Sequence, residues 1–142
     1  MRRAALLLSA LALAVPATAV VAKPTPAQAR AMKAELAAAV ASPLRDKDKA
    51  RDQYRRPAET LEFFQVAPDM KVGEYAPGGE WYSRLLGLYL GPKGKLVGLY
   101  FDPTSGAFNE KTQEGIRAGA ASYPADVAAA SGLPAERFSA MT

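Results

Sequence analysis

Val72-Gly73-Glu74-Tyr75-Ala76-Pro77-Gly78-Gly79-Glu80-Trp81-Tyr82 is the stretch on which the fold turns. It begins as a short apolar strand, reaches a carboxylate at Glu74, breaks at Pro77-Gly78-Gly79, and resumes with bulky residues at helical spacing. Strand, glycine loop and helix in that order are the layout with which open α/β sheets hold nucleotide-type ligands. Glycines let the backbone come close, and the following helix offers its first amide groups to a negative group. The plainer reading of the same residues is a tight strand-to-helix turn.

Downstream, Trp81 to Leu90 reads as a helix with Leu85, Leu86, Tyr89 and Leu90 toward a sheet. Gly91-Pro92-Lys93-Gly94 is a turn signal. Leu96 to Phe101 is apolar throughout, as expected of a strand buried on both faces of a parallel sheet. Asn109 can cap a helix from Glu110 to about Ser122. Tyr123-Pro124 is expected to interrupt it, and Ala125 to Ser131 to form a second short helix that stops at Gly132. Arg137 to Met141 reads as a third strand. This order implies parallel pairing through right-handed crossovers.

Asp102 lies 28 residues after Glu74, just past the second strand. That is where a carboxylate accepts hydrogen bonds from ribose hydroxyls in such sheets. Its plainer reading is a turn residue before Pro103.

Upstream, Thr25-Pro26-Ala27-Gln28 has the cap, proline and glutamine of a helix start, and the alanine-rich helix to Ala41 turns Met32, Leu36, Ala39 and Val40 inward. The charged run Arg45 to Arg56 admits a phosphate-binding reading. The preferred one is a solvated helix face carrying Asp52–Arg56 and Asp48–Arg51 pairs. Pro57 opens a further helix with Leu61 and Phe64 on one face, and Ala67-Pro68-Asp69 is a turn.

Met1-Arg2-Arg3, the apolar run Ala4 to Val15 and the small residues to Ala22 read as a secretory signal peptide, cleaved after Ala19 or Ala22. The run is shorter than the roughly 20 residues a membrane span requires, so no stable anchor is expected after cleavage. Loss of Arg2 and Arg3 lowers the net charge from +4 to +2, so the basic pI implies no nucleic-acid partner. Zero cysteine excludes a disulfide framework, and zero histidine excludes a histidine-activated nucleophile or an imidazole metal site.

Three segments carry a family resemblance: Arg51 through Phe64; Glu74 through Trp81-Tyr82 with Leu86, Tyr89-Leu90 and Gly94-Lys95; and Phe101-Asp102-Pro103. Together they resemble a family of exported bacterial predicted methyltransferases of the class I, S-adenosylmethionine-dependent type. The resemblance covers roughly residues 40 to 105 and, more loosely, the remainder. It implies a Rossmann-like three-layer α/β fold in which this chain supplies the N-terminal half: about three parallel strands in the order 3-2-1, flanking helices, and N-terminal helices ahead of them.

The resemblance also implies S-adenosylmethionine as cofactor and an unknown methyl acceptor as partner. Glu74, Gly78, Gly79 and Asp102 would contact the cofactor, and Ala76 and Pro77 would shape the loop; no catalytic residue is assigned. Two positions depart from the pattern. Ala76 stands where the general methyltransferase loop has glycine, and Glu80 where the exported relatives show a third consecutive glycine. A carboxylate at 80 would either face the cofactor's carboxylate or turn outward at the helix start.

The expected organisation is residues 1–22 as signal peptide, 23–66 as an N-terminal helical segment, and 67–142 as a truncated Rossmann-like cofactor-binding domain. The expected location is periplasmic or secreted. Little activity is expected of this chain alone, because the acceptor side of the crevice lies in the half not supplied. The competing expectation is a non-enzymatic periplasmic interaction module that binds a partner through its sheet edge or its charged helix.

Overall fold

The computed structural model describes residues 23–142, so the expected signal peptide lies outside the described residues. Helix α1 (Pro26–Ala41) starts in a reciprocal capping box. The Thr25 hydroxyl accepts from the Gln28 amide at 3.3 Å, and the Gln28 side chain accepts from the Thr25 amide at 2.8 Å. Its inward residues are the expected ones: Leu36 and Ala39 are buried, with Met32 and Val40 partly so.

The charged run departs from expectation. It forms two single 3₁₀ turns, Pro43–Arg45 and Lys49–Arg51, and the four-residue helix α2 (Asp52–Arg55). The expected surface pairs do not form. Arg45 is fully buried and bonds Asp52 at 2.8 Å and the Val40 carbonyl at 2.8 Å. Asp48 is also buried and holds Arg84 in a two-pronged pair, 2.7 Å from Nε and 2.5 Å from Nη2. Charges this deeply placed persist only because each is paired and hydrogen-bonded.

Helix α3 (Pro57–Phe63) buries Leu61, but Phe64 is 68% exposed and does not share its face. Gln65 is left-handed at φ 53°, and the Val66 amide bonds back to the Leu61 carbonyl at 3.0 Å. This closure ends the helix and places Val66, not Phe64, against the core.

The sheet has three parallel strands, β1 (Lys71–Tyr75), β2 (Lys95–Leu99) and β3 (Phe138–Met141), in the order β1-β2-β3. Val72 lies beside Leu96, and Leu96 beside Phe138. On that face pack helices α4 (Trp81–Tyr89) and α5 (Glu110–Ser131), through Leu85, Leu86, Tyr89, Tyr123 and Val127. Leu36, Ala39 and Leu61 join the same core, so α1 and α3 reinforce one side of the sheet.

The opposite face carries Tyr75 and Met141, 68% and 60% exposed. Among the described residues the fold therefore has two layers, not the expected three. With the strands in sequence order, two right-handed crossovers put both helices on one face.

Helix α5 corrects a further expectation, because it runs unbroken through Pro124. A proline in a helix interior costs about 3 kcal/mol through its missing N–H and the clash of its ring. The flanking Tyr123 and Val127 are fully buried, and burying two such side chains yields about 1.5–3 kcal/mol each. The Tyr123 ring lies on Gly98, where a Cβ would come within 3.0 Å of it. Tertiary burial thus holds together a helix whose local sequence signals a break.

Truncating Asp48 strands a buried guanidinium. Asp48→Ala is expected to lower stability by about 3–5 kcal/mol, and the paired change Asp48→Leu with Arg84→Met to recover most of that loss. Urea denaturation of the wild type and the two variants measures both, and a single-variant loss under about 1 kcal/mol would mean that the pair is solvent-screened.

Candidate functional site

The loop after β1 lies beside a cleft of about 280 Å³ lined by Glu74, Tyr75, Ala76, Pro77, Gly78, Gly79, Trp81, Tyr82, Arg51 and Arg55. Five of the six residues expected from sequence converge there. A Cβ at Gly79 would meet nothing within 4 Å, and at Gly78 only the Ala76 carbonyl at 3.6 Å. The floor of the cleft is bare backbone, open to a ligand.

The loop is built from left-handed residues: Ala76 at φ 49°, Gly78 at 39° and Glu80 at 57°. Both departures from the family pattern therefore fall where glycine is favoured, and each non-glycine residue stores on the order of 1 kcal/mol of backbone strain. Ala76 is held there by its amide, which donates to the Leu99 carbonyl at 2.8 Å.

Glu80 answers neither expectation fully. Its carboxylate is absent from the cleft and makes no cap hydrogen bond at the start of α4. It lies 3.7 Å from Arg84 in a separate, larger but shallow hollow with Lys47 and Asp126. Burial and the nearby Asp126 charge raise its pKa, opposed by Arg84 and Lys47. That hollow mixes charges of both signs and contains none of the glycine loop.

Glu74 is held from the helix side. The Ser83 hydroxyl donates to Oε2 at 2.6 Å and the Tyr123 hydroxyl at 3.3 Å. Both converge on one oxygen, leaving Oε1 without a side-chain donor. Desolvation raises the Glu74 pKa above its ordinary 4.5, and the two hydroxyls offset part of that rise. The same burial, reinforced by nearby carboxylates, lifts Tyr100 to about 12 and Tyr123 well above the usual phenol range. Both phenols are therefore neutral hydrogen-bond donors at physiological pH.

Asp102 stands apart. It is exposed, and Oδ1 accepts from the Thr104 amide and hydroxyl, each at 2.7 Å, which lowers its pKa. The local geometry is thus that of a turn. Its neighbour Phe101 packs edge-on against Tyr75 with ring centroids 5.3 Å apart, so the β2 end borders the β1 end.

Sequence reading missed the opposite wall. Trp81 donates its indole N–H to the Asp48 carbonyl at 3.0 Å. Arg45 and Arg55 sit 5.0 and 5.1 Å from its ring centroid. The charged run is thereby drawn onto the start of α4, delivering Arg51 and Arg55 to the cleft. The signal for this in the sequence was the density of arginine in the run Arg45 to Arg56, which admits a phosphate-binding reading; its packing partner Trp81 lies 26 residues beyond Arg55.

No family model, curated protein or solved structure matches this chain. No metal-binding group of His, Cys, Asp and Glu occurs among the described residues, and no helix among them is long and apolar enough to cross a membrane.

A raised folded pKa means that Glu74 favours the fold most below its unfolded value, and that this contribution is lost as pH rises through the folded value. Glu74→Gln, which keeps an acceptor for Ser83 and Tyr123, should therefore gain stability over wild type as pH rises from about 4.5. Thermal melts across pH check this; a gap that does not change with pH rules it out. Ala76→Gly should raise stability by up to about 1 kcal/mol by relieving strain, net of the greater freedom of glycine when unfolded; denaturant titration reads the sign.

Proposed function

We propose that this chain binds S-adenosylmethionine at the glycine-loop cleft and serves as a cofactor-binding unit of a Rossmann-like methyltransferase, exported to the periplasm or secreted. The observation that carries the reading is the gathering of Glu74, Ala76, Pro77, Gly78 and Gly79 on one open cleft at the C-terminal end of β1. The residues suit the ligand. The loop lacks side chains where a ligand must approach, and Glu74 sets a carboxylate on the cleft wall to attract a cationic ammonium.

In this reading Gly78 and Gly79 cradle the cofactor, Ala76 and Pro77 shape the turn, and Glu74 anchors both the loop and the amino group. Asp102 reaches the ribose hydroxyls from the neighbouring strand end. A cleft of about 280 Å³ is at the small end for ligand pockets, so the adenosine would lie outside it, across the loop toward Asp102. Bound S-adenosylmethionine supplies an electrophilic sulfonium methyl; the chain positions it and tunes its electrostatic surroundings. The acceptor and the catalytic residues are not assigned.

A second reading has its own support. Tyr75, Phe101 and Met141 are large apolar side chains left exposed at 68%, 42% and 60%. An apolar surface of this kind suits an interaction module.

Calorimetric titration with S-adenosylmethionine and S-adenosylhomocysteine tests the first reading. Micromolar binding is expected, weakened at least tenfold by Asp102→Ala, which removes the ribose acceptor. Gly79→Val should abolish binding without unfolding the chain, since its side chain enters open space. Absence of heat with either ligand, from a chain that melts cooperatively, sinks the cofactor reading and leaves the interaction module.

A further inference from the structure

We propose that Arg51 and Arg55 form an oxyanion subsite on the wall of the glycine-loop cleft, built to receive a carboxylate or phosphate group of a bound ligand. The inference goes beyond the cofactor reading, because it concerns the anion that the cleft takes, whichever molecule carries it.

The other arginines near this site are already paired. Arg45 bonds Asp52 and the Val40 carbonyl, Arg84 bonds Asp48, and Arg56 bonds Glu59. The guanidinium groups of Arg51 and Arg55 donate to no acceptor among the described residues, yet both line the cleft. The acids that might have neutralised them are committed elsewhere. Asp48 and Asp52 belong to Arg84 and Arg45. The cleft's own acid, Glu74, has Oε2 turned to Ser83 and Tyr123. Two cations thus share a wall whose nearby carboxylates are already engaged.

Arg55 is also held in place. Its guanidinium carbon sits 5.1 Å from the Trp81 ring centroid and 5.7 Å from that of Tyr82. Its backbone carbonyl accepts from the Thr60 hydroxyl at 3.0 Å and the Tyr82 hydroxyl at 3.5 Å. A stacked guanidinium offers its rim of N–H groups to a ligand, and that planar fork matches the two oxygens of a carboxylate or phosphate. Gly78-Gly79, which also line the cleft, have no side chain to keep an oxyanion away.

The oxyanion has two possible sources: the carboxylate of the methyl donor, or an anionic group on the acceptor. Inorganic phosphate is the first probe, with the side-chain Nε–H resonances of Arg51 and Arg55 followed by NMR in the full chain. Both signals should shift, and the apparent Kd should rise about tenfold or more in Arg51→Gln and in Arg55→Gln. Arg55→Lys keeps the charge but not the fork, so it should fall between wild type and Arg55→Gln. Arg56→Gln, at an exposed residue paired with Glu59, should bind like wild type.

S-adenosylhomocysteine added to the phosphate complex then separates the sources. Displacement of phosphate assigns the subsite to the donor carboxylate, and simultaneous binding assigns it to the acceptor. Phosphate bound at the arginines with no binding of S-adenosylhomocysteine keeps the subsite and removes the cofactor reading. S-adenosylhomocysteine bound with neither arginine responding to either ligand overturns the subsite and keeps the cofactor reading. Equal weakening in Arg56→Gln also overturns it, since the effect would then be diffuse surface charge.

Discussion

The buried contact between Asp48 and α4 is the constraint on which the rest of the structure depends. One residue uses both of its polar ends. Its carboxylate grips Arg84 in two places, and its backbone carbonyl accepts the indole N–H of Trp81. The N-terminal segment is thereby pinned to the first turn of the helix that follows the glycine loop. A buried ion pair is weak evidence for net stability, since desolvating both charges costs roughly what their attraction returns. Its value here is geometric, because an unpaired partner is so unfavourable that only one docking of the segment is tolerated.

The consequences reach the loop. With Trp81 fixed, α4 can begin only where it does, and the chain must turn from β1 into it within five residues, Ala76 to Glu80. It does so through three left-handed residues, two of which are not glycine. Strain of this kind persists only where the surroundings over-determine it. The Leu99 carbonyl that takes the Ala76 amide and the Arg84 side chain beside Glu80 are those surroundings. The cleft inherits its shape from a loop clamped at both ends.

The sheet shows a different balance. The main buried apolar cluster lies on one side, where α4 and α5 meet at Gly87, close against Val127 and Ser131. Burial of Tyr123 and Val127 is strong enough to carry a helix across Pro124. Tyr123 then does a second task, because the ring that fills the hollow over Gly98 ends in the hydroxyl that reaches Glu74. Core packing and the polar character of the cleft are coupled through that one side chain.

Much of this was legible in the chain itself wherever the governing physics is local. The capping box at Thr25, the inward stripe Leu36–Ala39, the α4 face at Leu85, Leu86 and Tyr89, and the loop at Pro77-Gly78-Gly79 each depend on residues a few positions apart. Apart from Phe64, turned out by the local closure at Gln65, what was misread depends on partners far along the chain. Asp48 and Arg84 are separated by 36 residues, and Tyr123 and Glu74 by 49. A charged run looks solvated until its partner is known, and a proline looks like a break until the burial around it is counted. Sequence alone determined the three strands, the helices that start at Thr25 and Trp81, and where the glycine loop falls. The tertiary structure decided which charges are buried and which arginines reach the cleft, because long-range pairing and desolvation exist only once the chain has folded.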